Sequence, residues 1–303
     1  MVTDTAVFFG GLGLPAKRRQ HLSSWTWTLV GGLAIPLWAT WPALSLQTRQ
    51  VPAFECLTFV FLVGWLALTC MERPVASSGY GPSPWRAWIP ALAFALGESG
   101  SAVFFLWATH YIPAAEANLI MYLWPGITVG LGSALGIFHL RLRHVMGIAL
   151  GFAGAAILLA GGSLSLSYAG LGLALLAGIA WALYCVFRLQ WRHISRPFLA
   201  RGFGISALLC GVMHCLLEPS VIPGIGSVAA AATIGIVPTA FANFAWDQGF
   251  RRGDTRLLAV MAYATPLCSA LLLTVTGSQS FTWKLVIAAI VIMFAGVMSR
   301  AEA

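Results

Sequence analysis

Tyr122-Leu123-Trp124-Pro125 and Tyr263-Ala264-Thr265-Pro266 each set a tyrosine three residues before a proline inside an apolar run, and the two stand 141 positions apart. Trp38-Ala39 pairs in the same way with Trp181-Ala182 at 143, and Ala153-Gly154 with Ala295-Gly296 at 142. Trp107 and Trp246 fall near corresponding ends of two further runs. Each match is short. Their nearly constant offset and unchanged order indicate an internal duplication, which must be read before any other feature because it decides the fold.

Working outward, ten apolar runs are legible, at roughly 24–45, 52–70, 85–109, 113–137, 144–163, 169–191, 197–217, 227–249, 255–276 and 282–299. Each is about as long as the roughly 20 residues that a membrane crossing needs. The duplication assigns five to each copy. Five is odd, so the second copy must enter the bilayer from the opposite side, an arrangement characteristic of secondary transporters. The expected fold is therefore an all-α integral membrane protein of ten helices, two inverted five-helix repeats around a central cavity. The units are an N-terminal cytoplasmic segment 1–23, a first repeat 24–163 and a second repeat 169–299.

Composition agrees. The 303 residues are 59% hydrophobic and only 9% charged, whereas soluble domains carry about 25% charged residues to cover their surface. The net charge of +8 does not point to nucleic acid, because the basic residues sit between apolar runs and form no patch. They report topology instead. With both termini cytoplasmic, the inner segments hold 15 of the 17 Lys and Arg residues, and only Arg49 and Lys284 lie outside. That asymmetry satisfies the positive-inside rule and supports an even number of crossings. The basic group Lys17-Arg18-Arg19 follows the first short apolar stretch rather than preceding it, unlike a cleavable signal. The six cysteines form no C-x-x-C pair and read as small apolar packing residues. There is no G-x-x-x-x-G-K-[ST] loop for a nucleotide.

The candidate site follows from polar and aromatic residues where lipid-facing side chains would be expected. Glu98, within Gly97-Glu98-Ser99-Gly100-Ser101, sits in the middle of the third run. An ionised carboxylate there costs at least ~2.5 kcal/mol. It reads as a partner for a substrate ammonium group, as a proton-coupling site, or as a protonated acid hydrogen-bonded to a neighbouring helix. Pro125 and Pro266 each remove one backbone donor and kink a helix, either as paired hinges or as packing kinks. Trp181 and Tyr184 share a helix face, as do Trp38 and Trp41, Asn118 and Tyr122, and Asn243, Trp246 and Phe250. Many of the 13 tryptophans belong in the interfacial belt, but Trp38 and Trp181 are midspan. The substrate-binding set expected is Trp38, Glu98, Tyr122, Trp181, Tyr184, Asn243, Trp246 and Tyr263. No Lys or Arg is expected near the midplane, which argues against a phosphate-like substrate. His110 and His214 read as structural, with proton relay as the alternative.

Ten helices as five plus five, short loops, and the motifs Met121-Tyr122-Leu123-Trp124-Pro125, Trp181-Ala182-Leu183-Tyr184-Cys185, Ala245-Trp246-Asp247-Gln248-Gly249 and Tyr263-Ala264-Thr265-Pro266 resemble the drug/metabolite transporter superfamily, EamA family. The resemblance spans about residues 24–300. It implies a bacterial inner-membrane transporter, not an enzyme, exporting aromatic amino acids or similar small amphipathic metabolites by alternating access. Export of other metabolites or drugs is the alternative. A second class, intramembrane serine protease, rests on the G-x-S-G pattern of 97–100 with His214 as base, a pattern four residues long in a chain whose duplication such enzymes lack. The expected partners are an amino-acid-like substrate and the lipid bilayer, with no nucleic acid, no metal and no cofactor, and a monomer as the working unit.

Overall fold

The computed structural model describes residues 23–71, 88–112, 114–137, 139–159, 167–191, 198–277 and 280–298. The N-terminal segment up to residue 22 and the loop positions of Arg73, Arg86, Arg192 and Arg196 lie outside the described residues. Among the described residues the chain is entirely helical. The helices are α1 Ser24–Gly32, α2 Ala34–Trp38, α3 Trp41–Ser45, α4 Ala53–Met71, α5 Ile89–Ala108, α6 Ala114–Met121, α7 Trp124–Ala134, α8 Leu142–Leu159, α9 Tyr168–Gln190, α10 Phe198–Leu217, α11 Ile225–Ile234, α12 Ala242–Arg252, α13 Thr255–Met261, α14 Ala264–Val275 and α15 Trp283–Met298. A 3₁₀ turn, Leu46–Thr48, ends the first group, and a π-helical segment, Gly235–Phe241, joins α11 to α12. Seven described stretches are long and apolar enough to cross a membrane, and Leu142–Ile157 and Trp283–Ala295 are shorter apolar helices. Large apolar side chains such as Leu96, Leu208 and Met293 point outward, each about two-thirds exposed. In water such a band would be an aggregation surface; against acyl chains it is solvated. The protein is a multi-pass membrane protein.

The two proline motifs break their helices at matching places. Met121 ends α6 and Trp124 begins α7; Met261 ends α13 and Ala264 begins α14. Each proline sits in the first turn of the new helix, where its missing N–H is not needed. The displaced carbonyls still need contacts in a low-dielectric setting. Ala262 O accepts from the Thr265 hydroxyl at 2.8 Å. Met121 O instead faces Gly178 of α9, so closely that a Cβ added at Gly178 would lie 2.8 Å from it. Both second halves end on a left-handed glycine, Gly136 with φ 69° and Gly277 with φ 72°, a conformation that favours glycine because it lacks a Cβ. These glycines stand 141 apart, like the tyrosines and the prolines.

Packing follows small residues, as expected where lipid tails supply no hydrophobic drive between helices. α1 crosses α12 at Gly31 and Gly249, where a Cβ on Gly249 would come within 2.4 Å of the Gly31 Cα. α5 lies along α9, and Ala108 and Ala174, both fully buried, fall in one cluster there. α4 lies along α10 and α8 along α15. The main core gathers residues of α2, α4, α5, α7, α9, α10 and α12 around a set of aromatic rings.

Candidate substrate pathway

Four tryptophans from four separate stretches close a ring. Trp38 of α2 lies 6.3 Å from Trp181 of α9 and 5.2 Å from Trp246 of α12, between ring centroids. Trp124 of α7 completes the circuit at 6.3 Å from Trp181 and 5.6 Å from Trp246. Contacts at these spacings and tilts are favourable beyond the area they bury. Tyr184 extends the ring at 5.1 Å from Trp181, and Phe94 of α5 touches Tyr184 at 5.0 Å and Phe203 at 4.9 Å. Phe250 stacks on Trp246 at 5.1 Å. Phe94, Phe198, Phe203 and Phe250 all lie toward the end of the bundle that carries Arg188, Arg201, Arg251 and Arg252, so the aromatic plug thickens toward that arginine-rich end.

Glu98 stands on the other side of Phe94, in the middle of α5. It is held there by its neighbours on the helix. Gly97 lets α9 approach until an added Cβ would meet the Tyr184 Cβ at 2.6 Å, and the Ser99 hydroxyl donates to the Ser206 hydroxyl of α10 at 2.9 Å. Glu98 is partly buried, lies within electrostatic reach of Tyr184, Cys185 and Cys210, and makes no hydrogen bond or ion pair among the described residues. Asn243, one turn from Trp246, donates to Thr239 O at 2.9 Å, while its Oδ1 and the Thr239 hydroxyl have no hydrogen-bond partner among the described residues. Both polar groups belong to the irregular stretch around Pro238.

Of the residues expected from sequence, Trp38, Trp181, Tyr184 and Trp246 come together; Asn243 lies one turn from Trp246 on the chain, and Glu98 is within electrostatic reach of Tyr184. Tyr122 sits at the α6–α7 break, its hydroxyl next to Thr265 of α14. Tyr263 lies apart from the ring, fully buried against Gly151 and Phe152 of α8 with its hydroxyl close to Gly126. Pro125 and Pro266 sit directly behind the two breaks. Trp124 and Phe94 were not among the expected lining residues, nor was the buried pair Arg188 and Asp247. Arg188 donates through Nε and Nη2 to the two Asp247 carboxylate oxygens, the second at 3.4 Å. Trp124 had a signal, its place beside Pro125 in the middle of a run. Asp247 had a weaker one, an acid directly after Trp246.

His214 is structural in its contacts. Its Nδ1 lies 3.1 Å from Glu218, whose carboxylate accepts the N–H groups of Phe54 and Glu55 and so caps α4. A separate cavity of about 290 Å³ opens nearby between α4, α10 and α11, bordered by Glu55, Phe59 and His214. It does not include any residue of the tryptophan ring.

An apolar bundle with broken helices, an aromatic constriction and a carboxylate next to it defines a membrane transporter rather than an enzyme. The chain belongs to the EamA-like transporter family, which matches it twice, over residues 24–160 and 168–299. It is 33% identical over 273 residues to the aromatic amino acid exporter YddG of Ancylobacter novellus, covering 88% of this chain and 94% of that one. The aromatic amino acid exporter YddG of Escherichia coli K12 is 25% identical over 289 residues, covering 85% and 90%. A crystal structure 32% identical in sequence superposes with a TM-score of 0.84 over 91% of this chain and 98% of that one.

Proposed function

We propose that this protein exports aromatic amino acids, or similar small amphipathic metabolites, across the bacterial inner membrane by alternating access. The single observation that carries the reading is the tryptophan ring, extended by Tyr184, with the Glu98 carboxylate within electrostatic reach of that tyrosine. An aromatic body stacks on such walls, and an ammonium group is the natural partner for a carboxylate that has none among the described residues, the combination expected of a mostly apolar site with a few placed polar groups. The names of the relatives support the same substrate class.

The pathway lies between two inverted repeats of five spans, 24–163 and 169–299, with both termini cytoplasmic. The double family match supports this division, as do the paired breaks and the two left-handed glycines. The helix pairings support it as well. Exchanging the repeats maps the α5–α9 contact onto α12–α1, with Ala108 and Ala174 corresponding to Gly249 and Gly31, while α4–α10 and α8–α15 map onto themselves. With the arginine-rich end in the cytoplasm, the plug closes the inner side, and Glu98 belongs to the half that opens outward.

Counterflow with purified protein in liposomes, run across a panel of amino acids, tests the substrate. Phenylalanine, tyrosine and tryptophan should exchange well above aliphatic and acidic amino acids. Exchange of other amphipathic compounds with none of these three would move the assignment to a general metabolite or drug exporter.

A further inference from the structure

We propose that Arg188 and Asp247 form the latch of the gate at the arginine-rich end, acting through Trp246 to hold the tryptophan ring shut and parting each time the pathway opens to that side. This rests on the two-sided pathway proposed above. Asp247 directly follows Trp246 on α12. Arg188 lies two turns beyond Trp181 on α9, with Tyr184 between them on the same face. The pair therefore ties together the two helices that supply facing members of the ring. It does so out of water: Arg188 is 2% exposed and Asp247 3%. Both carboxylate oxygens are engaged by the guanidinium, which also donates to the Trp191 carbonyl and lies 4.7 Å from the centre of the Phe198 ring. Arg251, one turn further on α12, approaches Asp247 at 3.7 Å.

A buried ion pair is poor evidence for stability, because apolar residues of similar volume often serve as well; breaking one by removing a single partner is costly. The pair suits a two-position element. Paired and dry, it favours a closed end. Parted and hydrated on both sides, it favours an open one. States between, with a charge desolvated and unpaired, are excluded. The ring alone offers no such discrimination, since aromatic contacts loosen gradually. The latch has no repeat-related counterpart: stretches 44–47 and 104–108 at the opposite end contain no ionisable side chain, and the ion pairs found there among the described residues, His214 with Glu218 and Glu55, join α10 to α4 and not the helices of the ring.

The native Cys185 reports the gate. It is fully buried and lies beside the Trp246 indole. In a background whose other five cysteines are replaced by alanine, its reaction with a membrane-impermeant maleimide is followed in inside-out and right-side-out vesicles. The double variant Arg188→Gln, Asp247→Asn removes both charges of the pair together, and Arg251→Gln alone, which takes away the other cation near Asp247, serves as its control and should leave the rate close to the parent's. The double variant should raise the labelling rate roughly tenfold in inside-out vesicles and leave right-side-out vesicles unchanged. A rise in right-side-out vesicles alone keeps the latch and overturns the cytoplasmic placement of this end. A rise from both faces means general loosening and overturns the latch, as does an unchanged rate in a protein that elutes as a single size-exclusion peak. Should the double variant not fold, Arg188→Lys keeps the charge but loses the two-pronged geometry. It should give a smaller rise on the same single face, and a parental rate there overturns the proposal.

Discussion

At the scale of single residues the pathway turns on Glu98, a midspan carboxylate without a hydrogen-bond or ion-pair partner among the described residues and within electrostatic reach of Tyr184. A group so placed is expensive unless something compensates it. An incoming amino acid brings an ammonium group that would do so. We hypothesise that substrate and proton compete for this carboxylate, and Glu98→Gln separates that from simple binding, since it keeps shape and hydrogen bonding and removes titration. If Glu98 only binds, the variant loses affinity by roughly tenfold or more and the pH profile of the remaining flux is unchanged. If it couples protons, the pH dependence flattens and uphill export stops while downhill exchange continues. Liposome flux measured against pH in both proteins distinguishes these, and a variant equal to wild type in all three respects would remove Glu98 from the site. Sequence made Glu98 visible because a lone acid interrupts an apolar run. It did not reveal Trp124, Phe94 or the Arg188–Asp247 pair as neighbours. Helical spacing says which residues share a face of one helix, as with Trp181 and Tyr184, but nothing about which faces meet across helices. Asp247 and Arg188 lie 59 positions apart, and only packing joins them.

At the scale of helices, the breaks at Tyr122 and Tyr263 were legible because proline has one dominant backbone consequence, and the structure puts α6–α7 and α13–α14 where that consequence requires. The surroundings of the two carbonyls were not legible. Ala262 O accepts the N–H and the hydroxyl of Thr265, Met121 O lies against Gly178 of α9, and the motif Tyr-x-x-Pro is the same in both. If the breaks are hinges, Pro125→Ala or Pro266→Ala should straighten a helix and lower transport by about tenfold or more through misplacement of the site, with insertion and purification unaffected. Wild-type flux in both variants would leave them as packing kinks. The π-helical stretch around Pro238 had no sequence signal beyond that proline. Crossing points make a sharper stability test. At Gly249 the obstacle to a side chain is the Gly31 backbone, which cannot swing aside as a flexible side chain would. Gly249→Val should therefore cost about 1–3 kcal/mol or more, seen as a lower melting temperature in detergent. Gly172→Val, with nothing within 4 Å of an added Cβ, should leave it nearly unchanged. Equal melting temperatures for the two would show that α1 and α12 do not meet as closely as described.

At the scale of the whole molecule, two weak patterns reinforce each other. The near-constant offset implies two similar halves, and the charge bias implies an even number of crossings; neither alone fixes how the halves face. If five spans separate equivalent points, those points lie on opposite sides of the membrane, and a copy that keeps its packing must be upside down. On the proposed repeat, α5–α9 and α12–α1 would be the same crossing at opposite ends of the bundle, one built on alanines and one on glycines. The orientation then depends on the arginines alone, because the shape of such a bundle is nearly the same from either side. Insertion follows Lys and Arg rather than net charge, so the proposed orientation would put Arg141, Arg143, Arg251, Arg252 and Arg256 inside and Arg49 and Lys284 outside. Single cysteines placed beside Arg49 and Lys284 in intact cells should react with an impermeant maleimide, and cysteines beside Arg143 and Arg252 should react only after permeabilisation. The reverse pattern would invert the protein and put the aromatic ring and its arginine-rich end on the outer side. A mixed pattern, with the positions beside Arg49 and Lys284 on different sides, would mean an odd number of crossings between them. The inverted repeat would then fail while the family assignment stood.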